Sequence, residues 1–332
     1  MITMINFDYI IGNHCHFLWL VIATKLRHIN STINEDTGRK MTKTNSVPLF
    51  YDSFGTPDNP TIVLIPGLGG HNISWTSDFC QEIADAGFYL LRIDNRDAGL
   101  SHHINEFPPI DLGVLIEKMQ QGEPFAVPYT LFDMAEDIIH LLNTLSIDKA
   151  HFIGRSMGGM IAQIAAAKFP ERTLSLCAIM SSTGNPTLPQ SAPDVMQMLM
   201  SPSANLKEDL EGYLSGQLAF YRRISSTFGP FDENYYREYI LQSLARNHSP
   251  EGTKRQIVAV AVTGDLRSYI QHINVPTLVI HGSIDPLFPL AAGQDIANNI
   301  PNAKLEVIEG MGHETPPMIN PQIAKLIINH LN

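Results

Sequence analysis

Ala150-His-Phe-Ile-Gly-Arg-Ser-Met-Gly-Gly-Met-Ile-Ala-Gln-Ile-Ala-Ala-Ala-Lys168 reads as a strand, a tight turn and a helix. The apolar run Ala150–Ile153 meets Gly154-Arg-Ser-Met-Gly158, and the helix expected from Met157 to Lys168 stops before Pro170. This is the GxSxG pattern in the strand–turn–helix context that gives it meaning. So sharp a turn forces Ser156 into a strained backbone, and glycines two positions before and after leave room for it. Its hydroxyl then projects above the sheet, where the helix N-terminus favours developing negative charge. A glycine-lined packing turn with an ordinary serine is the plainer alternative, and the flanking strand and helix weigh against it.

Outward from this turn, short apolar runs alternate with helical periods, the pattern of a parallel sheet covered by helices. Thr61–Ile65, Phe88–Ile93, Leu174–Met180, Thr277–Ile280 and Leu305–Ile308 read as further strands. Their near-continuous apolar character suits a sheet buried on both faces. Helices are expected around Ser77–Ala86 and from Thr130, which heads a near capping box with Asp133. Prolines 186, 189, 193 and 202 then break the alternation, and Leu206–Phe220 and Asn234–Ala245 read as helices. The fold class is α/β, with a mostly parallel central sheet covered by helices. The expected division is a core over 41–182 and 273–332, with a helical cap inserted at 183–272.

A serine hydroxyl needs a base to become nucleophilic at neutral pH. Of 13 histidines, His313 lies in Glu309-Gly-Met-Gly-His-Glu-Thr-Pro316, a glycine-flanked loop just after the last strand. His71, His102 and His103 precede the serine, against the expected order of serine, acid, then histidine, and His330 lies too close to the C-terminus, inside a helical tail. The acid belongs after the penultimate strand, where Asp285 precedes a proline. It would accept the second imidazole N–H and fix the tautomer. Asp265 is the competitor, but it precedes a strand, and a turn-capping role suits it better. The oxyanion needs donors: the backbone N–H of Met157, and that of Leu68 in Pro66-Gly-Leu-Gly-Gly70. In Asp94-Asn-Arg-Asp-Ala-Gly-Leu-Ser101, Arg96 is expected to bridge Asp94 or Asp97 and lock the loop.

Composition narrows the partners. The 332 residues carry 22 basic and 33 acidic side chains, a formal net charge of -11, which disfavours nucleic acid. Cys15, Cys80 and Cys177 form no CxxC pair, so neither a disulfide framework nor a zinc site is expected, and Cys177 reads as a buried inert thiol. This usage fits a reducing, cytoplasmic compartment. The apolar run within His16–Ala23 is far short of the roughly 20 residues that span a bilayer, so no stable membrane insertion is expected. Residues 1–40 read as a disordered or loosely attached extension, with Met41 as an alternative start. Nothing in the sequence bears on the oligomeric state.

Gly154-Arg-Ser-Met-Gly-Gly159, Asp94-Asn-Arg-Asp-Ala-Gly-Leu-Ser101 and Gly310-Met-Gly-His313 together resemble the α/β-hydrolase superfamily, and within it the bacterial esterase branch of aclacinomycin methylesterase-like proteins. The likeness covers about residues 47–330. It implies a nucleophile, acid and base at Ser156, Asp285 and His313, oxyanion donors at Leu68 and Met157, a cap over the site, and no metal or organic cofactor. Many relatives carry His-Gly where this chain has Pro66-Gly67. The expected substrate is a small to medium ester with an apolar part, its pocket walled by the insertion and by residues such as Phe107, Leu112, Leu115 and Met119. The same triad also serves C–C bond hydrolysis of a diketone and perhydrolysis, and some members of the fold are small-molecule receptors. These stand beside ester cleavage as alternatives.

Overall fold

The computed structural model describes residues 46–121, 123 and 126–332. The extension 1–40, with Cys15 and the apolar run at 16–23, lies outside the described residues, as does the side chain of Met119. Seven strands form one sheet: β1 (Tyr51–Phe54), β2 (Thr61–Ile65), β3 (Tyr89–Ile93), β4 (Ala150–Arg155), β5 (Thr173–Ile179), β6 (Thr277–Gly282) and β7 (Lys304–Ile308). Their order is β1-β3-β2-β4-β5-β6-β7. β1 pairs antiparallel with β3, and every other neighbour is parallel.

Side chains alternate across a strand, so each strand feeds both faces. Val63, Ile65, Leu91, Ile93 and Phe152 pack against α3 (Leu131–Thr144) and α4 (Met157–Lys168). Ile62, Leu64, Leu90 and Ile153 pack against α1 (Ser77–Asp85) and α11 (Asn320–Leu331). Helix α2 (Leu112–Gln121) and α10 (Leu290–Asn299) complete the surround. Each central strand is sandwiched, which is why its sequence is apolar without alternation. The box at the head of α3 forms as read: Asp133 Oδ2 accepts from the Thr130 N–H at 2.7 Å.

Between β5 and β6 the chain is helical, through α5 (Pro193–Met200), α6 (Leu210–Ile224), α7 (Glu233–Arg246), α8 (Pro250–Thr263) and the short α9 (Arg267–Ile270). Asp209, Asp232 and Ser249 cap α6, α7 and α8 by accepting backbone N–H groups. A small core of its own, Leu214, Leu218, Tyr236 and Ile240, joins α6 to α7. Among the described residues no helix is long and apolar enough to cross a membrane.

Candidate active site

β4 runs directly into Ser156, whose φ of 53° lies in the left-handed region. A serine held there is strained, and the surroundings enforce it. A Cβ on Gly154 would meet the Gly158 carbonyl at 2.1 Å, and one on Gly158 would meet the Ile65 carbonyl at 2.2 Å. Only glycines allow the helix to start this close to the strand. The Ser156 N–H donates to the Ile179 carbonyl on β5 at 2.9 Å, which ties the turn to the sheet.

Two loops at the same sheet end bring the partners. His313, five residues past β7, sets Nε2 at 3.0 Å from Ser156 Oγ. Its Nδ1 lies 2.7 Å from Asp285 Oδ2. A carboxylate only accepts, so Nδ1 carries the proton and Nε2 is free to accept the Ser156 O–H. Asp285, three residues past β6, is aimed by the Leu287 and Phe288 N–H groups, each 2.8 Å from Oδ1. Asp285 is 5% and His313 8% exposed, so this line of hydrogen bonds works away from bulk water. The structure thus brings together Ser156, Asp285 and His313, the three predicted from sequence.

His281 sits behind the acid and was not singled out by sequence. It is fully buried, 3.7 Å from Asp285 Oδ2, and its Nε2–H donates to the Phe288 carbonyl at 2.7 Å. Burial lowers its pKa despite the neighbouring Asp285. The ring is therefore a neutral brace for the acid loop. Asp265 caps its own turn by accepting the Arg267 N–H at 3.0 Å.

Leu68 and Met157 carry the predicted oxyanion donors. Leu68 and Met157 line the same cavity as Ser156, and neither N–H has an acceptor among the described residues. The loop carrying Leu68 is held from three sides. The Gly70 N–H donates to the Gly67 carbonyl at 3.0 Å. Asn95 Nδ2 donates to the Pro66 carbonyl at 3.0 Å. Gln256 on α8 accepts the Gly69 N–H at 2.8 Å and donates to the Arg96 carbonyl at 2.7 Å. Sequence reasoning missed Asn95 and Gln256, because the contacts that give them meaning reach 29, 160 and 187 residues along the chain.

The ion pairs of the 94–101 loop differ from expectation. Arg96 bridges neither Asp94 nor Asp97; it grips Asp137 on α3 with two bonds of 2.6 and 2.7 Å. Asp97 instead pairs with Arg255 on α8, at 2.8 and 2.7 Å, and accepts from the Tyr129 hydroxyl at 2.7 Å. Asp94 pairs with Arg246 at the end of α7. The loop's charges meet partners on three different helices rather than one another. Burial pushes the Asp97 carboxyl up, but the Arg255, Ile104 and Tyr129 donors outweigh it and leave its pKa below the usual value.

The helical insertion is bonded to each loop of the site. The Ala192 N–H donates to the Pro286 carbonyl at 2.8 Å and Ser191 Oγ to the Leu287 carbonyl at 2.5 Å, beside the acid. The His313 N–H donates to the Ile224 carbonyl at 2.8 Å, and the Gly312 N–H to Ser226 Oγ at 3.0 Å, beside the base. Gln256 holds the loop carrying Leu68. The cavity enclosed between insertion and sheet has a volume of about 600 Å³. Leu112 and Leu115 line it as expected, with Met196, Phe220 and Tyr235 from the insertion. Phe107 packs against the core instead. Among the described residues no group of three or more His, Cys, Asp or Glu side chains could hold a metal ion. Cys80 and Cys177 are buried and free, and burial raises both thiol pKa values.

Residues 60–316 match the family model of the alpha/beta hydrolase fold. The chain belongs to the α/β-hydrolase fold family. Among relatives of this hydrolase, rhodomycin D methylesterase of Streptomyces peucetius is 26% identical over 315 residues, which is 88% of this chain and 97% of that protein. The 3-oxoadipate enol-lactonase 2 of Acinetobacter baylyi is 29% identical over 268 residues, 79% of this chain and 85% of that one. A thermophilic esterase from Thermogutta terrifontis has the same fold, with a TM-score of 0.64 at 20% identity, covering 88% of this chain and 97% of its own. The resemblance to bacterial esterases read from the sequence agrees with these relatives.

Proposed function

We propose that the protein hydrolyses carboxylic esters of small to medium size through an acyl-enzyme. The observation that carries this is the continuous line from Ser156 Oγ through His313 to Asp285, at 3.0 and 2.7 Å, opening into a cavity of about 600 Å³. Ser156 Oγ attacks the ester carbonyl carbon as its proton passes to His313 Nε2. Asp285 keeps the ring oriented and stabilises the imidazolium. The Leu68 and Met157 N–H groups take the oxyanion. The tetrahedral adduct collapses as His313 returns the proton to the departing alcohol. Water, deprotonated by His313, then cleaves the acyl-enzyme and releases the acid. In this reading residues 183–272 are the cap that shapes the substrate pocket. Relatives named methylesterase and enol-lactonase support the same reaction class.

The test is hydrolysis of a p-nitrophenyl ester series, acetyl to palmitoyl, by the wild type and Ser156→Ala. Cleavage of short esters, lost at least about 10³-fold in the variant, is the expected result. A wild type inert towards every ester, or a variant that retains activity, overturns the proposal.

A further inference from the structure

Arg155 occupies the variable position just before Ser156, and its surroundings set it apart from the other buried arginines. Buried Arg92, Arg96 and Arg255 face Asp52, Asp137 and Asp97, and the partly exposed Arg246 faces Asp94. Arg155, only 9% exposed, has no carboxylate within ion-pair distance among the described residues. One Nη donates to the Ser74 carbonyl at 2.9 Å, and the guanidinium lies over the Trp75 indole at 3.7 Å. Its Nε and second Nη are buried with no acceptor.

A buried cation without an anion is costly, and buried donors without acceptors add to the cost. Glu314 attracts the guanidinium only from beyond ion-pair distance, and no neighbour accepts from its two free nitrogens. Burial keeps the Tyr235 and Tyr239 phenols neutral, their pKa values raised. Glu314, its own pKa raised by burial, spends its carboxyl on the Tyr236 hydroxyl and the Ser226 N–H. Burial pushes the Arg155 pKa down to about 10, which still leaves it charged at neutral pH. Arg155, Tyr235, Tyr239 and Ser156 all line the one cavity.

We propose that Arg155 is an anion subsite within this cavity, receiving a second carboxylate on the ester substrate. The substrate class is a half-ester of a dicarboxylic acid, with the ester carbon at Ser156 and the free carboxylate at the guanidinium. The planar fork suits a carboxylate, and the indole beneath holds it flat. This rests on the ester-hydrolase reading of the same site.

The experiment compares monomethyl and dimethyl esters of succinate, glutarate and adipate for the wild type, Arg155→Met and Arg155→Lys. The readout is the ratio of kcat/KM for half-ester to diester within one preparation, which does not depend on the folded fraction. The wild type is expected to favour one half-ester. Arg155→Met is expected to cut that half-ester's kcat/KM by about 30-fold, mostly through KM, and to change the diester by less than about threefold. Should Arg155→Met not fold, Arg155→Lys decides by a several-fold smaller ratio, because it keeps the charge and loses the fork. An equal fall on both substrates makes Arg155 a structural clamp and overturns the proposal, as does a wild type that favours diesters at every length. If the wild type cleaves none of these esters, the reaction reading fails separately, and Ser156→Ala is titrated with the glutarate and adipate dianions. Binding that a second change, Arg155→Met, abolishes sustains the subsite; no binding overturns it.

Discussion

Gly69 and Gln256 are 187 residues apart in the chain, yet the Gly69 N–H donates to Gln256 Oε1 at 2.8 Å. Gln256 is fully buried, and its amide also donates to the Arg96 carbonyl. It therefore fixes the loop whose Leu68 N–H is the proposed second oxyanion donor. Gln256→Leu is expected to lower kcat by about 10- to 100-fold, with KM changed by less than about threefold. Steady-state kinetics separates the two constants; a rise in KM alone would show that Gln256 shapes the pocket rather than the oxyanion loop.

The acid can be tested without disturbing its loop. In Asp285→Asn the side-chain oxygen still accepts from Leu287 and Phe288, while the amide nitrogen facing His313 favours the wrong tautomer. The expected loss in kcat is about 10³- to 10⁴-fold, with the melting temperature within a few degrees of wild type.

The Asp97–Arg255 pair joins the 94–101 loop to α8, and both side chains are nearly fully buried. Arg255→Met strips the carboxylate of its cation and is expected to cost about 3 kcal/mol or more in urea unfolding. The pH dependence follows from the direction of the Asp97 shift. A carboxyl with a folded pKa below its unfolded value stabilises the fold above the unfolded value and loses that contribution as pH falls through the folded one. The difference between wild type and variant is therefore expected to hold at neutral pH and to shrink on strong acidification.

His151 gives an acid response of the same sign in a milder pH range. It is buried, and its Nδ1 lies 2.8 Å from Ser175 Oγ. Burial lowers its pKa from 6.5 to about 4. The unfolded chain takes up the proton first, so stability drops as pH falls from 6.5 towards 4. The contribution at pH 5 is up to about 2 kcal/mol. Unfolding free energies measured at pH 7.5 and 5.0 should differ less in His151→Asn than in the wild type.

The alternating strands were legible because each central strand is buried on both faces and so must be apolar throughout. Helix α4, expected from about Met157 to Lys168, runs between those residues, bounded by the turn at Ser156 and by Pro170. β1 escaped notice: Tyr51-Asp-Ser-Phe54 is a partly exposed antiparallel edge strand with no apolar run to betray it. Helices α6 and α7 were found but misbounded by one to four residues, because Asp209 and Asp232 set their starts through capping bonds. Order along the chain and strand ends sufficed to select Ser156, Asp285 and His313. Arg96, Asn95 and Gln256 were beyond that method, since their partners lie 41, 29 and 187 residues away.

Two glycines are expected to respond in opposite ways to alanine. Gly216 lies exposed inside α6, and a Cβ there meets nothing within 4 Å. Gly216→Ala is expected to stabilise by about 0.5–1 kcal/mol in urea unfolding. Gly154→Ala drives its methyl into the Gly158 backbone and is expected to yield insoluble or inactive protein, read by soluble yield and esterase assay.

The hydrogen bonds from residues 191, 192, 224, 226 and 256 to the loops carrying Asp285, His313 and Leu68 make the helical insertion part of the frame of the proposed site. A chimaera carrying another hydrolase's segment in its place would have to recreate the anchors at all three loops before it could turn over any substrate. Side-chain changes on the cavity wall leave these anchors in place, whereas an exchange of the whole segment removes them together.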